Sequence, residues 1–135
     1  MKTYSGIIAD LPDNGIFVYG ANTEGRHGLG AAKQAVKFGA VYGKVGLQGR
    51  TYGIITKDLR CKSHPSIPKS IIVSQIELLY LLADSVMYDK DFYVAYSVNK
   101  NLNGYSSKEM VEMFDPREAP RNIIFEQSFR RLAYE

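Results

Sequence analysis

GANTEGRHGLGAA, residues 20–32, joins the short apolar run IFVYG (16–20) to a stretch where Leu29, Ala32 and Val36 recur at helical spacing. The run before it is β-branched and aromatic, as a buried strand requires, and Phe38-Gly39 follows, where glycine can take the left-handed conformation that ends a helix. The segment is therefore read as strand, glycine-rich loop, helix. It holds Gly20, Gly25, Gly28 and Gly30, four of the chain's 12 glycines. Without a Cβ the backbone can approach a ligand closely and turn its N–H groups inward, and the helix start adds partial positive charge. Two readings stay open here. One is a cradle for phosphate or pyrophosphate; the other is a tight connection whose glycines serve only close strand-helix packing.

Outward from this segment, residues 3–8 and 16–20 read as strands separated by the turn Asp10–Gly15, and 51–57 (TYGIITK) as a third. From Pro68 to Met87, Ile72, Ile76, Leu79, Leu82, Ala83 and Val86 recur every three or four residues, the mark of a helix laying one face on a core, with proline suited to its first turn. FYVAYSV (92–98) is continuous enough for a strand buried on both faces. Ser106 stands three residues before Glu109, the capping-box spacing, which starts a helix running to Phe114; a strand over 122–126 and a helical or irregular tail complete the chain. Alternating strands and helices predict an α/β fold, a mixed sheet in a three-layer α/β/α arrangement, within one domain spanning 1–135.

The 17 basic and 14 acidic residues give a net charge of +3, spread along the chain. Only Arg117, Arg121, Arg130 and Arg131 approach the density of a nucleic-acid footprint, and a solvated tail accounts for them as well, so nucleic acid is not expected as a partner. Cys61 is the single cysteine, which excludes an intramolecular disulfide and suits a reducing compartment; Arg60 and Lys62 beside it favour a thiolate, but no second cysteine completes a redox motif. No apolar run reaches the roughly 18 residues of a membrane span, and no leader pattern opens the chain. A cytoplasmic protein without membrane contact, cofactor or metal is expected.

The glycine spacing fits neither GxGxxG nor a P-loop, because no Gly-Lys-Ser/Thr follows. Asn22, Arg26 and His27 bring an amide, a guanidinium and an imidazole to the strand's carboxyl end, where they can orient ribose hydroxyls or phosphates. His27 serves equally well as a structural residue, and Glu24 as a loop carboxylate. Lys57, ending the 51–57 strand beside Asp58, is either a phosphate contact or an exposed strand-end lysine. Tyr42, Tyr52 and Tyr105, among ten tyrosines, supply a stacking wall or fill core.

With VYGAN ending at Asn22, the Gly28-Leu29-Gly30 turn and the helix to Phe38-Gly39, the chain resembles macrodomains, which bind ADP-ribose and related compounds. Tyr52-Gly53-Ile54-Ile55-Thr56 is similar to a later strand of that family. Ala95-Tyr96-Ser97 with Asn103-Gly104-Tyr105-Ser106 is similar to its second phosphate loop. YGANTEGRHGLGAA, Tyr42-Gly43, Gly46-Leu47-Gln48-Gly49 and Thr56-Lys57 also resemble words of small macro-like proteins of tailed phages and bacteria. The resemblance implies a pocket made by Gly20, Asn22, Gly25, Arg26, His27, Gly28, Gly30, Gly104 and Tyr105, an ADP-ribose-like ligand, and Asp10 or Asp13 as the partner of an adenine. Ala31, Ala32 and Lys33 stand where hydrolytic members carry an acid or base, and Val98, Asn99, Lys100 and Asn101 replace a glycine-rich second turn.

Three functions follow in order. The first is a binding module for ADP-ribose or a related nucleotide-derived ligand, in a phage accessory protein acting in the host cytoplasm. The second is a non-catalytic protein that docks on a host protein, its pocket degenerate. The third is an ADP-ribosyl hydrolase, with Asn22 orienting water and Glu24 or His27 accepting a proton.

Overall fold

Eight of the nine residues from Gly15 to Thr23 are strand, and this strand is the axis of the molecule. A computed structural model describes residues 2–27, 30–44, 46–96 and 103–135. The strands are β1 (Thr3–Tyr4), β2 (Gly15–Asn22), β3 (Gly46–Gln48), β4 (Thr51–Lys57), β5 (Asp91–Val94) and β6 (Ile123–Glu126). The helices are α1 (Gly30–Ala35), α2 (Lys69–Asp84), α3 (Ser107–Phe114) and α4 (Gln127–Arg131), with single 3-10 turns at Val36–Phe38 and Leu132–Tyr134. The chain is α/β, as its alternation of patterns predicts.

One sheet runs in the order β1-β6-β5-β2-β4-β3. The first five strands in that order are mutually parallel, and β3 closes the edge as an antiparallel hairpin on β4. Side chains alternate along β2 as a pleated strand requires. Ile16 and Val18 face α2, α3 and Phe129 of α4, where Ile72, Ile76, Leu79, Ala83, Met110 and Phe114 complete the layer. Phe17, Tyr19 and Ala21 face Ala35 and Phe38, together with Ile8 and Leu11 from the segment between β1 and β2. Helices thus cover both faces. Phe17, Phe92 and Phe125 are almost wholly buried, each contributing roughly 1.5–3 kcal/mol of transfer free energy.

Several expected elements differ in extent. The strand read over 3–8 stops at Tyr4 because Gly6 turns at φ +78°, after which Ile8 and Leu11 lie across the sheet as core. The first helix lasts only to Ala35 before tightening to 3-10, so the apolar contact passes to Ala35 and Phe38 while Val36 is exposed. Gly39 does end it at φ +108°. The long helix ends at Asp84 rather than Met87, and Val86 lies beyond it, exposed. β5 ends at Val94, although Ala95 N–H still donates to Val18 C=O of β2 at 2.8 Å, and the Tyr96 ring packs 4.8 Å from Phe129; residues 97–98 of that reading lie outside the described residues. The predicted capping box is present in both bonds, Glu109 N–H to Ser106 Oγ and Ser106 N–H to Glu109 Oε1, each 3.1 Å.

β3 had no counterpart among the expected elements. Its GLQG word makes the β3–β4 turn, where Gly49 at φ +55° lies so close to Gly39 that a Cβ would sit 3.1 Å from the Gly39 Cα. Gln75 of α2 braces the outer edge of β4 beyond β3: its side-chain amide accepts from Ile55 N–H and donates to Ile55 C=O, both at 2.8 Å. That edge would otherwise present an unpaired backbone donor and acceptor.

Candidate functional site

The sheet order places β2 between β5 and β4, and the connections leaving β2 and β5 go to opposite faces, to α1 and α3 respectively. Among the described residues no connection crosses from one of these two strands to the other above their carboxyl ends. This is the topological switch point at which open α/β sheets hold ligands.

Gly20 marks the spot. It pairs with Ile54 of β4, but on the other side β5 has already ended opposite Val18. By alternation its missing side chain would point to the face of α2 and α3, and although it sits in the central strand it is solvent exposed. A Cβ there would meet only Thr56, with Oγ1 at 3.1 Å. Among the described residues Gly20 thus leaves an open spot at the carboxyl end of the central strand.

The wall above is the loop from Asn22 to His27, and it is closed by Asn22. The Asn22 side chain accepts from Glu24 N–H (3.2 Å) and Arg26 N–H (3.0 Å) and donates to Arg26 C=O (2.9 Å), while its own carbonyl accepts from Gly25 N–H (3.1 Å). Thr23 N–H is held by Lys57 C=O at 3.0 Å. The amides of residues 23–26 are thus all occupied by the protein. Gly25, at φ +66°, is needed because a Cβ would lie 2.6 Å from Lys44 N, and its carbonyl accepts from Gly43 N–H. That contact explains the Tyr42-Gly43 word as the loop's support. Gly28 lies outside the described residues; Gly30, at φ +58°, is exposed and opens α1.

The exposed Arg26 guanidinium pairs with Glu24 at 3.2 Å, an arrangement worth little in water and easily exchanged for another anion. His27 turns toward Tyr19, Nε2 lying 3.3 Å from its hydroxyl, and its ring meets Tyr42 edge-on at 6.4 Å. Burial pushes the Tyr19 phenol pKa up, so the hydroxyl keeps its proton. His27 Nδ1 is a buried nitrogen with no partner among the described residues. Arg26, His27, Val36, Ala40 and Tyr42 line an open recess of about 430 Å³ on the α1 side of the loop. This recess and the exposed Gly20 thus belong to opposite faces of the sheet.

Beyond β4, Asp58 holds Arg60 through both carboxylate oxygens, at 3.0 and 2.8 Å. Those hydrogen bonds bring its carboxyl down to a pKa of about 2. Thr23 Oγ accepts from Leu59 N–H at 3.3 Å, so this short segment is pinned to the end of β2.

The second expected loop is built for packing where it is described. Gly104, at φ +88°, abuts the His64–Pro65 bond so tightly that a Cβ would lie 2.4 Å from Pro65 N. Tyr105 is core, its hydroxyl donating to Ile67 C=O at 2.5 Å, so it offers no stacking surface; Tyr52 is core as well, and Tyr42 alone of the three is exposed. Asp10 and Asp13 lie in the segment that leads into the amino end of β2, away from the carboxyl end where Asn22 sits. Their segment is fixed by Arg50, just before β4, which donates to the carbonyls of Leu11, Pro12 and Gly15. The structure brings Gly20, Asn22, Gly25, Arg26 and His27 together and gives Gly104 and Tyr105 a packing role.

No family model, curated protein or solved structure matches this chain.

The site is consequently defined by its own geometry. Among the described residues no cluster of three or more His, Cys, Asp or Glu side chains is placed to hold a metal, and no helix is long and apolar enough to cross a membrane. The residues that sequence reasoning missed are Thr56, which floors the crevice beside Gly20, and Tyr19, which orients His27. Their only signal was the strand alternation that turns Tyr19 to one face and Gly20 to the other.

Proposed function

We propose that this chain is a binding module for ADP-ribose or a related nucleotide-derived phosphate ligand. The ligand enters the crevice between the carboxyl ends of β2 and β5. The observation that carries the reading is the exposed Gly20 on the central strand at the switch point, where a buried side chain would be expected in a sheet with no ligand to admit. Arg26 supplies the cation for a phosphate by leaving Glu24. The recess beside Tyr42 offers an aromatic and apolar surface against which a base can rest. Because residues 23–26 have no free amides, the phosphate takes its contacts from side chains. Titration calorimetry with ADP-ribose is the test: saturable heat is expected, and no heat and no thermal shift at millimolar ligand would reject the reading.

A second reading, docking on a host protein by a chain whose pocket is degenerate, is favoured by those occupied amides and by the packing roles of Gly104 and Tyr105. A stoichiometric partner captured equally well by the parent and by an Asn22 variant, in a chain that gives no heat with ADP-ribose, would favour docking. Hydrolysis is the least favoured reading, since the Asn22 amide is fully engaged within its loop and is not left to orient water.

A further inference from the structure

Charge that is scattered along the sequence is gathered by the fold. Three loop segments meet at the carboxyl ends of β2 and β4 and are joined through their backbones. Thr23 N–H donates to Lys57 C=O at 3.0 Å, Leu59 N–H to Thr23 Oγ1 at 3.3 Å, and Gly43 N–H to Gly25 C=O at 3.0 Å. These segments, 23–27, 43–44 and 57–62, carry five basic residues, Arg26, Lys44, Lys57, Arg60 and Lys62, against two acidic ones, Glu24 and Asp58. Their excess equals the +3 of the whole chain, so basic and acidic residues balance everywhere else.

Most of this positive charge faces water. Lys57 is half-buried and the other four cations are exposed. Lys44, Lys57 and Lys62 make no ion pair among the described residues. Asp58 is committed to Arg60, and its side chain is 12% exposed where that of Arg60 is 81% exposed, so the pair presents its cation outward. Glu24 is shared, pairing with Arg26 at 3.2 Å and acting electrostatically on Arg60. An aromatic ring stands beside the cations. Tyr42, 69% exposed, is held there by the bond of Gly43 to Gly25; it lines the recess with Arg26 and meets the His27 ring edge-on.

We propose that this corner binds single-stranded nucleic acid, its phosphates on the five cations and one base on Tyr42. Cations tracking a backbone next to an exposed ring are the combination that holds a single strand, because the phosphates release counterions and an unpaired base stacks. A duplex offers such a ring no unstacked base, and an acidic peptide would use the cations alone. In sequence order the site is hidden, since its cations come from three separate loops. The inference goes beyond the ADP-ribose reading: it shares Arg26 and Tyr42 with it and needs nothing from the open position at Gly20.

Fluorescence polarisation of the full chain with labelled oligothymidylate and oligouridylate of about 12 nucleotides tests it. Saturable binding is expected, and the tighter of the two strands identifies the preferred sugar. The logarithm of the association constant should fall against the logarithm of salt concentration with a slope of about −2, as roughly three neutralised phosphates on a single strand require. Arg26→Gln/Lys44→Gln/Lys62→Gln is expected to weaken binding at least about tenfold near 0.1 M salt and to flatten that slope. Tyr42→Ala is expected to weaken it roughly five- to one-hundred-fold with the slope unchanged. Arg121→Gln/Arg131→Gln, outside the patch, should bind as the parent does. Thermal midpoints should stay near the parent's, since all the replaced side chains are exposed. Calorimetry with ADP-ribose on the same chain keeps the two readings apart: strands bound without ADP-ribose would reject only the earlier one, and ADP-ribose bound without strands only this one. No binding of either strand at about 50 mM salt, an equal loss from Arg121→Gln/Arg131→Gln, or an acidic peptide of the same charge that binds as tightly while Tyr42→Ala has no effect would each overturn the proposal.

Discussion

Replacing Gly20 by leucine separates an open crevice from a merely irregular sheet. Gly20 lies in a strand without positive φ, so a side chain is conformationally admissible, and a Cβ meets only the Thr56 hydroxyl at 3.1 Å, which must give by a few tenths of an ångström. Glycine within a strand costs about 0.5–1 kcal/mol relative to alanine, and the Thr56 adjustment offsets part of the gain, so the net change in stability is expected within about 1 kcal/mol of zero. For 135 residues the unfolding entropy is about 0.3 kcal/mol/K, so the midpoint moves by no more than about 3–4 °C. The isobutyl group meanwhile occupies the floor on which the ligand rests. Affinity for ADP-ribose is expected to fall at least tenfold, about 1.4 kcal/mol, read by calorimetry beside a thermal unfolding curve. A variant destabilised by several kcal/mol would mean that the space over Gly20 is filled by protein. A stable variant that binds as the parent does would place the ligand elsewhere.

Asn22→Ala removes three side-chain hydrogen bonds that close the 22–26 loop and is expected to cost about 1–3 kcal/mol in urea unfolding, whereas Asn22→Asp keeps the acceptor for Glu24 and Arg26 N–H and loses less. Gly25→Ala places a Cβ 2.6 Å from Lys44 N on a backbone at φ +66°, and a loss above about 2 kcal/mol is expected by the same measurement. Gln75→Leu strips Ile55 of its partner for both backbone groups, so hydrogen exchange at the Ile55 amide is expected to accelerate well ahead of its neighbours on β4. The Asp58 pKa is depressed to about 2 by Arg60, so its stabilising contribution is complete above the unfolded value near 4 and lost as pH falls through 2. Urea midpoints of the parent and of Asp58→Asn should therefore converge over that interval, and parallel profiles would deny the pair any role in stability.

What could be read in the sequence was what local chemistry decides. β4 and α3 lie where their patterns place them, because a short β-branched and aromatic run and a capping box are complete within a few residues. The core face of α2, Ile72, Ile76, Leu79 and Ala83, follows from periodicity alone. Phe38 replaced Val36 in the core because the chain tightens from α to 3-10 at Val36, which rotates the following side chains and leaves no mark in an apolar pattern. β3 is three residues long and held by a hairpin whose glycines pack on Gly39, a contact between positions ten apart that spacing does not reveal. At the site, residue type drew attention to the 20–27 loop, whose residues the structure brings together. It could not tell that Asn22 points back into that loop, nor that Tyr105 donates to Ile67 across 38 positions, since both depend on tertiary placement.

The central claim is that a nucleotide-derived phosphate ligand binds at the carboxyl ends of β2 and β5. It is tested most directly by following backbone amide resonances of the parent chain while ADP-ribose is added. The account predicts saturable shifts clustered on Gly20 to His27, Gly30, Ala31 and Ala95, with Asp13, Arg50 and the α2 face unmoved. Resonances that stay fixed at millimolar ligand, or that move only at the opposite edge of the sheet, would contradict it.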